Sequence, residues 1–131
     1  MKCTHIALQV RQTARSIAFY ARYCAMRVVH QRAGTEGGTI TWLGWGEDPP
    51  RFVIVLIEED YEVNRQPEWQ HIGMAVDTRE EVDERYRLAM MDGLTGLWPP
   101  TDGGPVVGYY CAVPDPDGNL VEFSCGQRIG G

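Results

Sequence analysis

Thr4-His5-Ile6-Ala7-Leu8-Gln9-Val10 and Gln70-His71-Ile72-Gly73-Met74-Ala75-Val76 decide the fold, because they are one stretch met twice. Both begin His-Ile and close on valine, and the histidines stand 66 positions apart. The offset outlasts the strands: Tyr20 matches Tyr86, and Ile17 matches Val82 within one residue. Self-similarity at a fixed period marks a duplicated supersecondary unit. The cut falls near Pro67, giving one domain of two modules, residues 1–66 and 67–131.

Each module reads as a strand, a helix and three further strands. The first helix is expected over Thr13–Tyr23, where Ala14, Ile17, Ala18 and Ala21 recur at helical spacing. The second starts at Thr78-Arg79-Glu80-Glu81, a capping box, carries Val82, Tyr86, Ala89 and Met90 as its apolar stripe, and stops at Gly93. Strands are expected at Arg27–Gln31, Thr39–Leu43 and Phe52–Ile57, then at Gly96–Trp98, Gly108–Val113 and Leu120–Ser124. Asp48-Pro49-Pro50 and Asp115-Pro116-Asp117-Gly118 mark the corresponding last turns. The fold class is therefore α+β, a βαβββ unit occurring twice.

Bulk properties narrow the function. The 131 residues are 44% hydrophobic and 23% charged, as in ordinary globular domains. A formal charge of −6 with no basic block argues against nucleic acid as a partner. The start MKCTHIALQV alternates like a strand and shows no signal-peptide run, and no apolar stretch is long enough for a membrane span. The reading is a cytoplasmic protein that does not engage membranes. Cys3, Cys24, Cys111 and Cys125 lack CxxC spacing and are read as reduced thiols, small hydrophobes of the core.

Strand alternation sets out the candidate site. Ile6, Leu8 and Val10 share one face, and His5, Ala7 and Gln9 the other; Ile72, Met74 and Val76 oppose His71, Gly73 and Ala75. The bulky faces should pack under the helices, leaving each histidine beside small residues that make room for a cavity. Glu122, between Val121 and Phe123, is the third member. A carboxylate in a half-buried strand must be paired, hydrogen-bonded or metal-bound. His5, His71 and Glu122 together would form a two-imidazole, one-carboxylate centre with open positions. His30 lies outside this pattern and is read as structural or exposed.

The paired His-Ile strands, Ser16-Ile17-Ala18-Phe19-Tyr20, and the closing Asp115-Pro116-Asp117-Gly118-Asn119-Leu120-Val121-Glu122-Phe123 resemble the vicinal-oxygen-chelate superfamily of glyoxalases, bleomycin-resistance proteins and dioxygenases. That resemblance implies a cupped mixed sheet around a divalent metal ion and frequent homodimers. It implies Lewis-acid chemistry of the lyase or isomerase kind on a small metabolite with vicinal oxygens. A metal-independent binding protein of the antibiotic-sequestering type and an extradiol ring-cleaving dioxygenase are the alternatives. The donor set admits Fe, Mn, Ni, Co or Zn. Whether the modules pair within a chain or swap between chains is left open.

Departures from the subfamilies matter as much. Glyoxalase I takes a fourth ligand, a glutamate, from the last strand of the first module, and here that strand is apolar throughout, with Glu58 and Glu59 just beyond. Extradiol dioxygenases place a tyrosine ten residues before the glutamate, where this chain has Ala112, and a second histidine near Leu56. Tyr110 and Glu58 are the candidate catalytic acid/base groups. Gln9, Trp42 and Tyr110 are the candidate substrate-binding residues. Gly103-Gly104-Pro105 reads as a loop or turn before the penultimate strand.

Overall fold

The structure, a computed structural model, describes residues 1–34, 37–61 and 68–129. The chain divides into two compact units, Met1–Asn64 and Arg65–Gly131; the expected cut at Pro67 lies outside the described residues. The first unit runs β1 (His5–Val10), α1 (Thr13–Cys24), β2 (Arg27–Ala33), β3 (Thr39–Gly44) and β4 (Val53–Glu58). The second runs β5 (His71–Ala75), α2 (Arg79–Met91), β6 (Trp98–Asp102), α3 (Gly104–Val107), β7 (Tyr109–Pro114) and β8 (Leu120–Cys125).

Each unit holds a four-stranded mixed sheet, ordered β1-β4-β3-β2 and β5-β8-β7-β6. In both, the first strand lies parallel to the last and the remaining neighbours are antiparallel. The registers repeat as well: Ala7 pairs with Val55 as Gly73 pairs with Glu122. Residues paired across strands project to one face. Val55 therefore occupies in the first unit the position that Glu122 holds in the second.

The helix-side faces make the cores. In the first unit Val10, Ile54 and Leu56 are buried with Phe19, Tyr20 and Tyr23 of α1. Phe19 stacks on Tyr23 at 4.7 Å and meets Tyr20 edge-on at 5.1 Å, geometries favoured by ring quadrupoles. In the second, Val82 and Ala89 of α2 are buried, as are Cys111, Val113, Val121 and Phe123 of the sheet. The expected capping box is present: Glu81 N donates to Thr78 Oγ1, and Glu81 Oε2 accepts from Thr78 N at 2.9 Å. Arg79 fixes the first turn of α2, reaching Asp102 at 2.6 Å and lying over the Tyr109 ring at 4.6 Å.

Several expectations need correction. The strand expected at Gly96–Trp98 begins only at Trp98 and runs through Pro99 and Pro100 to Asp102. Those prolines are tolerated because β6 is an edge strand with a register shift, where missing N–H groups cost little. Gly104-Pro105 opens the short helix α3 rather than a plain turn. All four cysteines are free thiols, but only Cys24 and Cys111 are buried; Cys3 is exposed and Cys125 partly so. Burial pushes the Cys111 thiol up to about 12, which makes it an inert core group.

Glu58, a candidate catalytic group, has a structural task. It follows Ile57 on β4, so alternation turns it to the helix side, where Oε2 accepts from Thr13 N at 2.8 Å. Hydrogen bonds from Thr13 hold its carboxyl below the ordinary range, the wrong direction for a base working near neutrality. It supplies the cap that Gln12 does not, since no side chain of the N-cap residue bonds into α1. Glu58→Ala should lower stability by about 1 kcal/mol, as other cap losses do. A depressed pKa stabilises above the unfolded value and loses that contribution as pH falls through the folded one. The difference between wild type and variant should thus be full at pH 7 and vanish in acid, as read from urea midpoints.

Among the described residues no helix is long and apolar enough to cross a membrane.

Candidate metal centre

His71 opens β5 and Glu122 stands mid-way along β8, two strands paired in parallel. Glu122 reaches its place because Asp115 ties the preceding turn. Its Oδ1 accepts from Asp117 N and Asn119 N, both at 2.9 Å, which launches β8 at Leu120. On the sheet face away from α2, His71 Nε2 lies 3.2 Å from Glu122 Oε2. Glu122 is only 6% exposed.

The second nitrogen of His71 decides the chemistry. Nδ1 lies 2.8 Å from the Trp69 carbonyl oxygen. A carbonyl can only accept, so Nδ1 carries a proton and donates it to Trp69 O, which leaves Nε2 as the nitrogen turned to Glu122. With the ring in its neutral form, Nε2 would turn a lone pair to a carboxylate oxygen. Two acceptors at this distance need a cation between them, either a proton or a metal ion. Two cis ligands at metal–ligand distances of about 2.1 Å stand about 3 Å apart, so the pair has the spacing of a chelate. A backbone carbonyl on the outer nitrogen is also the usual arrangement behind a ligating histidine.

Three residues that the sequence reading passed over complete this environment. Gln127 Nε2 donates to Glu122 Oε1 at 2.8 Å, holding the carboxylate so that Oε2 points to His71. The Trp98 ring meets His71 edge-on at 5.4 Å, and Trp69, 74% exposed, lies 5.6 Å from Trp98. Trp98 pairs with Ala112, which pairs with Glu122. That register could have been suspected only once β6 was placed. Gln127 follows the last strand and carries no sequence signal.

The other predicted residues are distributed as follows. Tyr110 pairs with Ser124, which places it on the Glu122 face of its sheet, two residues along β7 from Ala112. His5 is exposed at the start of β1, its Nδ1 3.0 Å from Thr4 Oγ1. It lines a hollow of about 400 Å³ in the first unit, together with Ala7, Arg32, Trp42, Val55 and Ile57. Trp42 thus shares a cavity with His5, and the exposed His30 ring lies tilted against it, centroids 4.8 Å apart. Gln9 lies on this face but outside that lining, and its amide donates to Glu59 at 2.9 Å. Trp45, just past β3, donates to the Cys24 carbonyl at the end of α1 at 2.8 Å.

Among the described residues, no set of three or more His, Cys, Asp and Glu side chains is grouped as a metal site. The structure brings together His71 and Glu122 and leaves His5 in the other unit.

Comparison with known proteins accords with this arrangement of elements. A protein of Pseudomonas aeruginosa described as uncharacterized protein PA2024 is 40% identical over 128 residues, covering 97% of this chain and 90% of its own. The lactoylglutathione lyase of Salmonella typhimurium is 28% identical, over 94% of this chain and 91% of its own. A mutant of the fosfomycin resistance protein FosX of Listeria monocytogenes, solved with Mn(II) and 1S,2S-dihydroxypropylphosphonic acid, superposes with a TM-score of 0.76 at 18% identity. That match covers 98% of this chain and 94% of FosX. The glyoxalase/bleomycin resistance protein/dioxygenase family pattern matches residues 2–123, and the chain belongs to that superfamily.

Proposed function

We propose that this protein is a divalent-metal-dependent enzyme acting on a small metabolite with two vicinal oxygens, by lyase- or isomerase-like chemistry. His71 and Glu122 are two of its ligands, and His5, from the same chain or from a second copy in a homodimer, is the third. The observation that carries the reading is His71 Nε2 facing Glu122 Oε2 at 3.2 Å while Nδ1 is held by the Trp69 carbonyl. When bound, the ion would act as a Lewis acid, drawing charge from two adjacent oxygens of the substrate. The rest falls to the chain. Trp69 O fixes the His71 tautomer, Gln127 fixes the Glu122 carboxylate, and Tyr110 is the candidate proton-handling group on the same face.

The lactoylglutathione lyase relatives suggest one version of this chemistry, and the registers argue against its four-ligand site. The position matching Glu122 in the first unit is Val55, so the fourth carboxylate that the glyoxalase I resemblance calls for is absent. Ring cleavage fares no better, because Ala112 stands directly opposite Glu122 where a tyrosine would be needed. A cytoplasmic enzyme with a three-ligand site fits these residues.

Metal analysis tests the reading. Wild-type protein reconstituted with Mn(II), Fe(II), Co(II), Ni(II) or Zn(II) and desalted should retain one ion per chain, and protein that stays metal-free would overturn it. Gln127→Ala should weaken metal binding by roughly 10–100-fold, the range for removing a partner that orients a ligand. Competition against a chelator gives that ratio.

A further inference from the structure

The hollow of the first unit carries chemistry that the metal ligands do not use. Its floor is apolar, because β4 sends Val53, Val55 and Ile57 to this face. Trp42, paired with Val55, forms one wall. Arg32 lies over the Trp42 ring at 5.7 Å, and among the described residues no carboxylate is paired with it. At about 400 Å³ the space lies within the range of small-molecule sites.

The registers order these groups. His5 pairs with Val53 in one row; Ala7, Val55 and Trp42 form the next, with His30 at its edge; Gln9, Ile57, Ile40 and Arg32 form the third. His5 and Arg32 therefore lie on opposite sides of the apolar row. A polar ligand such as a sugar would leave hydroxyls against valine and isoleucine, at a cost that buried polar groups rarely recover. A ligand with a planar apolar body would cover Val55 and Trp42 instead. Its far end would need negative charge, because a guanidinium fork matches a carboxylate bidentately.

We infer that the hollow binds a small aromatic carboxylate, its ring over Trp42 and Val55, its carboxylate on Arg32 and its other end directed to His5. This deepens the proposed function and rests on it only for the reacting end of the ligand at His5. Selection then comes from Arg32 and Trp42, residues that hold no ion.

Calorimetric titration with phenylacetate, phenylacetamide and acetate tests the inference on wild type, Arg32→Gln and Trp42→Ala. Arg32 is exposed on the edge strand β2, so its replacement leaves the core intact. Wild type should bind phenylacetate at least about tenfold more tightly than either other probe, one charge-assisted hydrogen-bonded pair being worth that much. Arg32→Gln should erase the preference over the amide, and Trp42→Ala should weaken both phenyl probes. Equal binding of phenylacetate and phenylacetamide, or a preference that survives Arg32→Gln, overturns the inference. Each titration is run on chelator-treated and on metal-reconstituted protein with the metal content measured. Selective phenylacetate binding by protein that takes up no metal sustains the hollow and sinks the metal reading. Full metal loading without discrimination among the probes sinks the hollow alone.

Discussion

Glu122→Ala and His71→Ala proteins, reconstituted with divalent metal and desalted, are expected to hold less than about a tenth of the metal that wild type holds. Either change removes one donor of the pair at 3.2 Å. Losing a partner that merely orients a ligand costs roughly 10–100-fold in affinity, so loss of the ligand itself should cost more than about 100-fold. Glu122→Ala also leaves the Gln127 amide without its acceptor. Folding should survive in Glu122→Ala, because the substitution removes the buried carboxylate and leaves behind a His71 side chain that is 34% exposed. In His71→Ala the Glu122 carboxylate keeps its hydrogen bond from Gln127, which limits the damage that an uncompensated buried charge would do. Thermal scans separate a lost site from a lost fold. Metal at 100 times its Kd should stabilise wild type by about 2.7 kcal/mol and the variants by almost nothing. Variants that load and stabilise like wild type would exclude Glu122 and His71 as ligands.

Much of this arrangement was legible because it rests on local periodicity. The two His-Ile strands, their alternation and the capping box at Thr78 each carry their own signal, and the structure places β1, β5 and α2 accordingly. Where position depends on tertiary neighbours, the sequence is silent. Pro99-Pro100 looks like a breaker, and only the edge location of β6 makes it acceptable. Glu58 looks like a spare carboxylate near the site until the end of β4 is seen beside the start of α1. Gln9 shares the His5 face, yet Glu59, fifty residues later, takes its amide. His30 lies outside the repeat and is exposed as expected, and only the β2–β3 pairing reveals that its ring meets Trp42 at a tilt. Trp98 shares this property, since it matters through His71, 27 residues away, by way of a bulged edge strand, whereas Gln127 reaches Glu122 only five residues back but carries no periodicity that would mark it.

Phe123→Ala should be the most destabilising single change in the second unit, costing about 3–5 kcal/mol. Phe123 is 1% exposed and stands in β8 between Met74 and Cys111, its partners on the neighbouring strands. Arg85 of α2 lies over its ring at 5.9 Å. Truncation would open a cavity on the helix side of the sheet, with Val82, Val113 and Val121 unable to close it without moving the strands. Against a total stability of about 5–15 kcal/mol for a typical domain, such a loss should lower Tm by roughly 10 °C or more. Its neighbour in sequence is Glu122, on the other face of the same strand, so the site gives a second measure of the damage. Phe123→Leu keeps most of the volume and should cost well under half as much, with metal retention near that of wild type. If β8 acts as a rigid bar that sets the Glu122 carboxylate, Phe123→Ala should lose metal affinity at temperatures where it is still folded, and Phe123→Leu should not. Equal metal affinity in folded Phe123→Ala would show instead that Gln127 and the Asp115 turn alone hold Glu122 in register.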